Sequence, residues 1–412
     1  MTEIPQHTNP SRAEITLQAV LKIALAAYIM CLPLSPRISN YTLIALGVLA
    51  LGLAIVSRQK VKPLSPAFYF LAAAYVVRVI SIFHAENFPN AALALEIEST
   101  MVAIPLVFSL LPQTRTFVRI SVWGFAAMCF LTMVYAFVQL GIYLNTTSPW
   151  SFAEYSYFHF HPKWFWINTR YFAQNMLTWD YAHYSFLSLM VIYGIHLIYA
   201  LDAKTKVEKI FLVIYSLITF LFIVYTGSRI GMIVLICLAL TYAFLAKSDL
   251  LFRYWRAGLV LIVGSIVGAI VLFLSIGKSL DYVRHHFQWM AVKAFLEKPF
   301  FGYGTASGKE LMRDPAFEEQ IGYTVNHPHN QFLSELLQFG VLGSIPFFLF
   351  IAALFKQSLH QRNTALLALM ISCVLLMLTE SPLASNKGSM PMFTALCITF
   401  SISLVSHKRK QV

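Results

Sequence analysis

Three clusters in this 412-residue chain have residue types and spacings that could do chemistry. The first is Asn326-His327-Pro328-His329-Asn330-Gln331-Phe332-Leu333, followed by Glu335 and Gly340-Val341-Leu342-Gly343. Histidine is the side chain best suited to take up a proton near neutral pH, so the segment offers a general base. A His-x-His pair could also hold a metal, but no carboxylate or cysteine nearby completes a ligand set, and His159 and His161 sit in another loop. A structural pair at a helix start fits the same letters. The second cluster is Arg284-His285-His286-Phe287-Gln288-Trp289, running on to Pro299 and Gly302-Tyr303-Gly304. The third is Tyr225-Thr226-Gly227-Ser228-Arg229. A guanidinium at a helix N-terminus favours an anion such as phosphate. An arginine that only snorkels to a membrane surface satisfies the same pattern.

Arg78, Glu96 and Glu98 form a further set, because charges inside apolar runs are costly and are paired or functional. Arg78 and the two glutamates lie at similar depth on successive, oppositely running segments. That predicts an Arg78–Glu96 or Arg78–Glu98 pair, either structural or lining a substrate cavity. Other motifs fail. Gly277-Lys278-Ser279 lacks the upstream glycine of a phosphate loop, and Gly302-Tyr303-Gly304 follows a helix rather than a strand. There is no Asp-x-Asp to hold a nucleotide sugar through a metal, and no Gly-x-Ser-x-Gly.

The elements that must position these residues follow from composition. The chain is 58% hydrophobic and 12% charged. A soluble domain is nearer about 45–50% apolar and about 25% charged. So few charges cannot cover a water-facing surface, which excludes a soluble enzyme and a disordered protein. Continuous apolar runs, rather than alternating strands, exclude a β-barrel. The fold class is an all-α polytopic membrane protein, one domain over 1–412, with about twelve membrane helices. They are expected near 15–35, 40–57, 66–84, 89–111, 117–142, 181–201, 208–226, 229–246, 256–276, 330–355, 363–380 and 387–406. The polar first 14 residues lack a signal-peptide layout, so the first run is read as an uncleaved span. Five scattered cysteines, each in an apolar run, suggest neither disulfides nor zinc.

The net charge of +12 bears on orientation, not on nucleic acid, for which no partner role is expected. With a cytoplasmic N-terminus, 18 of the 30 Lys and Arg fall in short inside connections, as basic residues do. Both termini are then cytoplasmic. Two long loops, 143–180 and 277–329, face outward. The first is rich in aromatic residues, among them Trp150, Trp164, Trp166 and Trp179. It reads as an interfacial belt or as a lid beside a lipid-linked substrate. The second carries an amphipathic helix near 283–298, with Phe287, Met290, Ala291, Ala294 and Phe295 on one stripe. Pro299 and the glycines end it.

The joint pattern resembles the O-antigen ligase/polymerase superfamily of bacterial cell envelopes. It is carried by many spans, Arg229 just after an outer helix end, Arg284 opening a loop helix fifteen residues before Pro299, and His327-x-His329-Asn330 entering the next span. The likeness covers 225–343, with hydropathy and Trp179-Asp180-Tyr181-Ala182-His183-Tyr184-Ser185 as the N-terminal contribution. It implies an inner-membrane enzyme acting on the periplasmic side. Such ligases move a glycan from undecaprenyl pyrophosphate to a hydroxyl of the lipid A core, without a nucleotide sugar, cofactor or required metal. By resemblance Arg229 and Arg284 engage the pyrophosphate and His329 is catalytic. Ser228, His327, Asn330, Glu335, Arg78, Glu96 and Glu98 are supporting candidates, with His327, Asn330 or Glu335 orienting His329. Direct displacement would invert the anomeric centre. The O-antigen ligase reading leads. An O-antigen polymerase, with a second lipid-linked glycan as acceptor, comes next, and a protein O-oligosaccharyltransferase third. A lipid-linked oligosaccharide flippase is the non-enzyme alternative. A transporter should show midplane charges, whereas here the polar residues crowd the outer rim.

Overall fold

The computed structural model describes residues 11–32, 36–57, 63–147, 184–201, 205–226, 228–245, 282–321 and 327–410. The described regular structure is helical throughout. In chain order the helices are α1 (Arg12–Cys31), α2 (Pro36–Val56), α3 (Ala67–Ser81, extended by a 3-10 turn Ile82–His84), α4 (Phe88–Glu98) and α5 (Thr100–Leu110). There follow α6 (Arg115–Thr147), α7 (Tyr184–Ala200), α8 (Lys206–Thr226) and α9 (Arg229–Leu245). The last six are α10 (Tyr282–Glu297), α11 (Gly308–Leu311), α12 (Pro315–Ile321), α13 (Gln331–His360), α14 (Thr364–Thr379) and α15 (Asn386–Lys410).

Eight described stretches are long and apolar enough to cross a membrane. Ser185–Ala200, Arg229–Tyr242 and Thr364–Thr379 are shorter apolar helices. Together these occupy all the expected spans except 256–276, which lies outside the described residues, as does most of the aromatic loop 143–180. The expected span 89–111 is two helices meeting at Ser99.

The core is one continuous cluster drawn from α1 to α3, α5 to α9 and α13 to α15. The centre is α15, with 83% of its apolar window buried. Its faces meet α5, α6, α7 and α14. Apolar packing alone does not fix helix register in a lipid solvent, so interhelical hydrogen bonds help. Tyr28 pairs with Thr394 (2.7 Å), Thr100 with Ser389 (3.0 Å), and His196 joins Thr399 (3.2 Å) to the Tyr242 hydroxyl (2.8 Å). Each is worth about 0.6 kcal/mol.

The segment 282–321 forms a cap with its own small core. The stripe read from the sequence is the buried face of α10. Phe287 and Ala291 pack with Met290 and Ala294 against Tyr303, Met312, Phe317 and Leu337. The glycine pairs explain how the cap is attached. α13 kinks at Gly340, whose φ of 61° and ψ of −172° break the helical ladder. The freed groups are met by the segment after α10. Tyr303 N–H donates to Leu337 O (3.1 Å) and Gly304 N–H to Gln338 O (2.8 Å). Val341 N–H donates to Pro299 O (2.8 Å) and Leu342 N–H to Phe300 O (3.1 Å). The approach is so close that a Cβ on Gly340 would sit 2.3 Å from the Phe300 carbonyl carbon. A Cβ on Gly302 would lie 2.5 Å from that of Gln338. Both glycines have positive φ, where a side chain is costly.

Candidate active site

The cap, the start of α13 and the end of α14 meet at one end of the bundle. His329 precedes α13 in a left-handed conformation (φ 51°), between Pro328 and the helix cap. Asn330 is that cap: its Oδ1 accepts the Leu333 N–H at 3.1 Å. His327 lies edge-on to His329, ring centroids 4.5 Å apart, and its Nδ1 accepts the His329 backbone N–H at 3.3 Å.

The side chain that holds the His329 ring is Glu380, directly after α14. Glu380 Oε2 lies 3.2 Å from His329 Nδ1, and Oε1 accepts from Arg284 Nη2 at 2.7 Å. Glu380 is 2% exposed. An ionised carboxylate only accepts, so the His329 contact places a proton on Nδ1 and leaves Nε2 as the basic nitrogen. Glu380 therefore ties the histidine of one cluster to the arginine of another. The sequence offered His327, Asn330 or Glu335 as the residue that orients His329; in the structure the ring-nitrogen contact is to Glu380, outside all three clusters, while His327 touches the ring edge-on.

Glu335 has a different task. Arg78, wholly buried, pairs through Nη2 with Glu335 and through Nε with Glu98 Oε2 at 2.9 Å. Its guanidinium also stacks on Phe339, 4.7 Å from the ring centroid, and donates to Ala74 O at 3.0 Å. The expected pairing with an α4 glutamate is thus made by Glu98, while Glu96 is exposed. Helical geometry explains the choice. Residues two apart point to different sides, so only one can face α3. Gln331 extends this network: Nε2 donates to Glu335 Oε1 (2.9 Å) and Oε1 accepts the Leu383 N–H (3.0 Å). Leu383 belongs to the turn that carries Glu380. The α3–α4–α13 polar cluster thereby braces the loop that holds the imidazole.

Ser228 caps α9, its Oγ accepting the Gly231 N–H at 3.1 Å. Arg229 is exposed and makes no hydrogen bond or ion pair among the described residues. It lies at the site end of the bundle. Gly231 is packed on Ser188 near the start of α7, and Phe186, two residues earlier, contacts Gly388 beside Pro382. Arg284 projects from the first turn of α10 with a side chain 16% exposed.

In the cap, Asp314 binds His286 Nε2 at 2.9 Å, and Phe317 stacks on that ring at 4.1 Å. The Phe317 backbone N–H, then His286, hold the Asp314 carboxyl below the usual range. Tyr303 is pushed up to about 12 by burial and by its hydrogen bond to Glu297. Among the described residues, no group of three or more His, Cys, Asp or Glu is arranged to hold a metal ion.

Residues 214–348 match the family model of O-antigen ligase. The match covers less than half of the chain and supports a likeness of this segment to the O-antigen ligase/polymerase superfamily. It runs from α8 into α13 and contains Ser228, Arg229, Arg284, His327, His329, Asn330 and Glu335. Arg78, Glu98 and Glu380 lie outside it. Comparison with curated proteins gives no match.

Glu380 was legible only weakly in the sequence. It stands as a single acid between an apolar run and Ser381-Pro382, where a charge commonly marks a span end.

Proposed function

We propose that this protein is an O-antigen ligase. It transfers a glycan from undecaprenyl pyrophosphate to a hydroxyl of the lipid A core, at the periplasmic face of the bacterial inner membrane. Both termini are then cytoplasmic, consistent with the basic short connections. The observation that carries the reading is the Glu380 bridge. One buried carboxylate holds an imidazole and a guanidinium together, a proton acceptor beside an anion-binding group.

The chemistry follows from this pairing. His329 Nε2 removes the proton of the acceptor hydroxyl while Glu380 holds Nδ1–H and favours the resulting imidazolium. The acceptor oxygen forms a bond to the anomeric carbon, and the bond from that carbon to the pyrophosphate oxygen breaks. The electron pair leaves with the pyrophosphate. Arg229 and Arg284 stabilise the charge growing there. Attack opposite the leaving group inverts the anomeric centre. No metal is required, since two guanidiniums supply the positive charge. The polyprenyl tail stays in the bilayer and enters from the side, because leaving lipid would expose its hydrocarbon to water.

The test is transfer by purified protein in nanodiscs containing EDTA, given undecaprenyl-pyrophosphate glycan with and without lipid A core. Glycan on the core, of inverted anomeric configuration, is the expected result. Lengthening of lipid-linked glycan without core would identify a polymerase. Transfer to neither would refute the ligase reading, as would product of unchanged configuration.

A further inference from the structure

The end of the bundle opposite His329 holds a cavity of about 260 Å³ where α6, α7 and α15 converge. Its floor is apolar: Val118, Leu201, Ile402 and Val405. Arg115 and Arg119 stand on its wall. The distance from the active site follows from α7. Leu201 closes this helix at the cavity, while Phe186 packs beside the Glu380 turn at its other end. Fifteen residues of helix separate them, about 22 Å.

The charge balance around the cavity is one-sided. Arg119 pairs with Glu208 of α8. Lys206 and Lys209 flank that glutamate and are exposed. Arg115 is exposed and has neither a hydrogen bond nor an ion pair among the described residues. Among the described residues, two arginines thus line a hydrocarbon-lined recess between membrane helices, and the carboxylate paired with one of them lies between two exposed lysines. A free anion would be held by the arginines but has no use for the apolar floor. A neutral lipid would fill the floor but has no use for the arginines.

We propose that this cavity binds an anionic phospholipid. The phosphate meets Arg115 and Arg119 and the first methylenes lie against Val118, Leu201, Ile402 and Val405. Basic pockets between membrane helices recognise acidic head groups in this way. The proposal does not depend on the transferase reading.

The test is native mass spectrometry of the full-length protein. It is released from mixed micelles holding equal phosphatidylglycerol and phosphatidylcholine of the same chain composition. The wild type is expected to retain phosphatidylglycerol in excess. Arg115→Gln should reduce that excess about fivefold, the loss of one interfacial cation, whereas Arg115→Lys should keep most of it. Val405→Trp fills the cavity without changing charge and should reduce the excess as well. Lys293→Gln, in the cap at the other end, should leave it unchanged. The melting temperature of each variant in phosphatidylcholine alone checks folding. If Arg115→Gln misfolds, Val405→Trp decides. Retention of the excess by Val405→Trp, or by a folded Arg115→Gln, would overturn the proposal. So would displacement of the lipid by millimolar inorganic phosphate, which would make the site one for a free anion.

Discussion

Replacing Glu380 by Gln keeps the shape of the bridge and removes its charge. The wild-type carboxylate accepts from Arg284 at 2.7 Å and from His329 Nδ1 at 3.2 Å. A carboxamide has one accepting and one donating end. Arginine can only donate, so the amide oxygen must face Arg284 and the amide N–H₂ must face His329. Nδ1 then becomes the acceptor and the ring proton moves to Nε2, the nitrogen that has to be bare to take a proton. The histidine remains in place but in the wrong tautomer. General-base assistance is worth about 10²–10⁴-fold, so kcat should fall by at least about a hundredfold. KM for the donor should change little, because Arg229 and Arg284 remain. Exchanging the ion pair for a hydrogen bond from Arg284, which still touches water, to a neutral amide oxygen should lower stability by about 1–2 kcal/mol. The assay is steady-state glycan transfer in nanodiscs, with thermal unfolding in parallel. A folded Glu380→Gln protein with half or more of wild-type kcat would refute the tautomer argument. A loss expressed only in donor KM would show that Glu380 serves Arg284 rather than His329.

Further outcomes follow from the same geometry. Arg284→Lys should lose at least about tenfold in activity, because an ammonium does not reproduce the planar fork with which a guanidinium spans Glu380 and a pyrophosphate; full activity by the transfer assay would remove Arg284 from the site. Arg78→Met leaves Glu98 and Glu335 buried without their cation and should destabilise by about 3–5 kcal/mol, read by thermal unfolding in detergent. Adding Glu98→Gln and Glu335→Gln should restore much of that loss, and no restoration would contradict the charge argument. Gly340→Ala should detach the cap, because its Cβ would fall 2.3 Å from the Phe300 carbonyl carbon. Faster hydrogen exchange at Tyr303 and Gly304 would register this, and unchanged exchange would speak against the kink contact.

The fold was readable where a local rule governs it. Uninterrupted apolar runs marked the spans, and the stripe from Phe287 to Ala294 marked the buried face of α10. That Arg78 would pair with Glu96 or Glu98 was readable from depth, since a buried charge demands a partner at its own level, but the choice of Glu98 was not. What was not readable required knowing which helices are neighbours. Glu335 sits four residues beyond Gln331 on α13 and looks like a partner for nearby His329. The packing of α3 against α13 gives it to Arg78 instead. Glu380 is 51 residues from His329 and 96 from Arg284, so no local pattern joins them. In the sequence Gly302 reads only as part of the end of α10, and Gly340 falls inside the expected span 330–355. Their role as mutual contact points appears only once the cap is folded back on α13.

The most direct test of the account pairs transfer with donor binding in His329→Ala. The account predicts that transfer of glycan to the lipid A core falls at least about a hundredfold. Binding of undecaprenyl-pyrophosphate glycan, measured on the same preparation, should stay within about twofold of wild type, since Arg229 and Arg284 are untouched. Transfer by His329→Ala at the wild-type rate would contradict it.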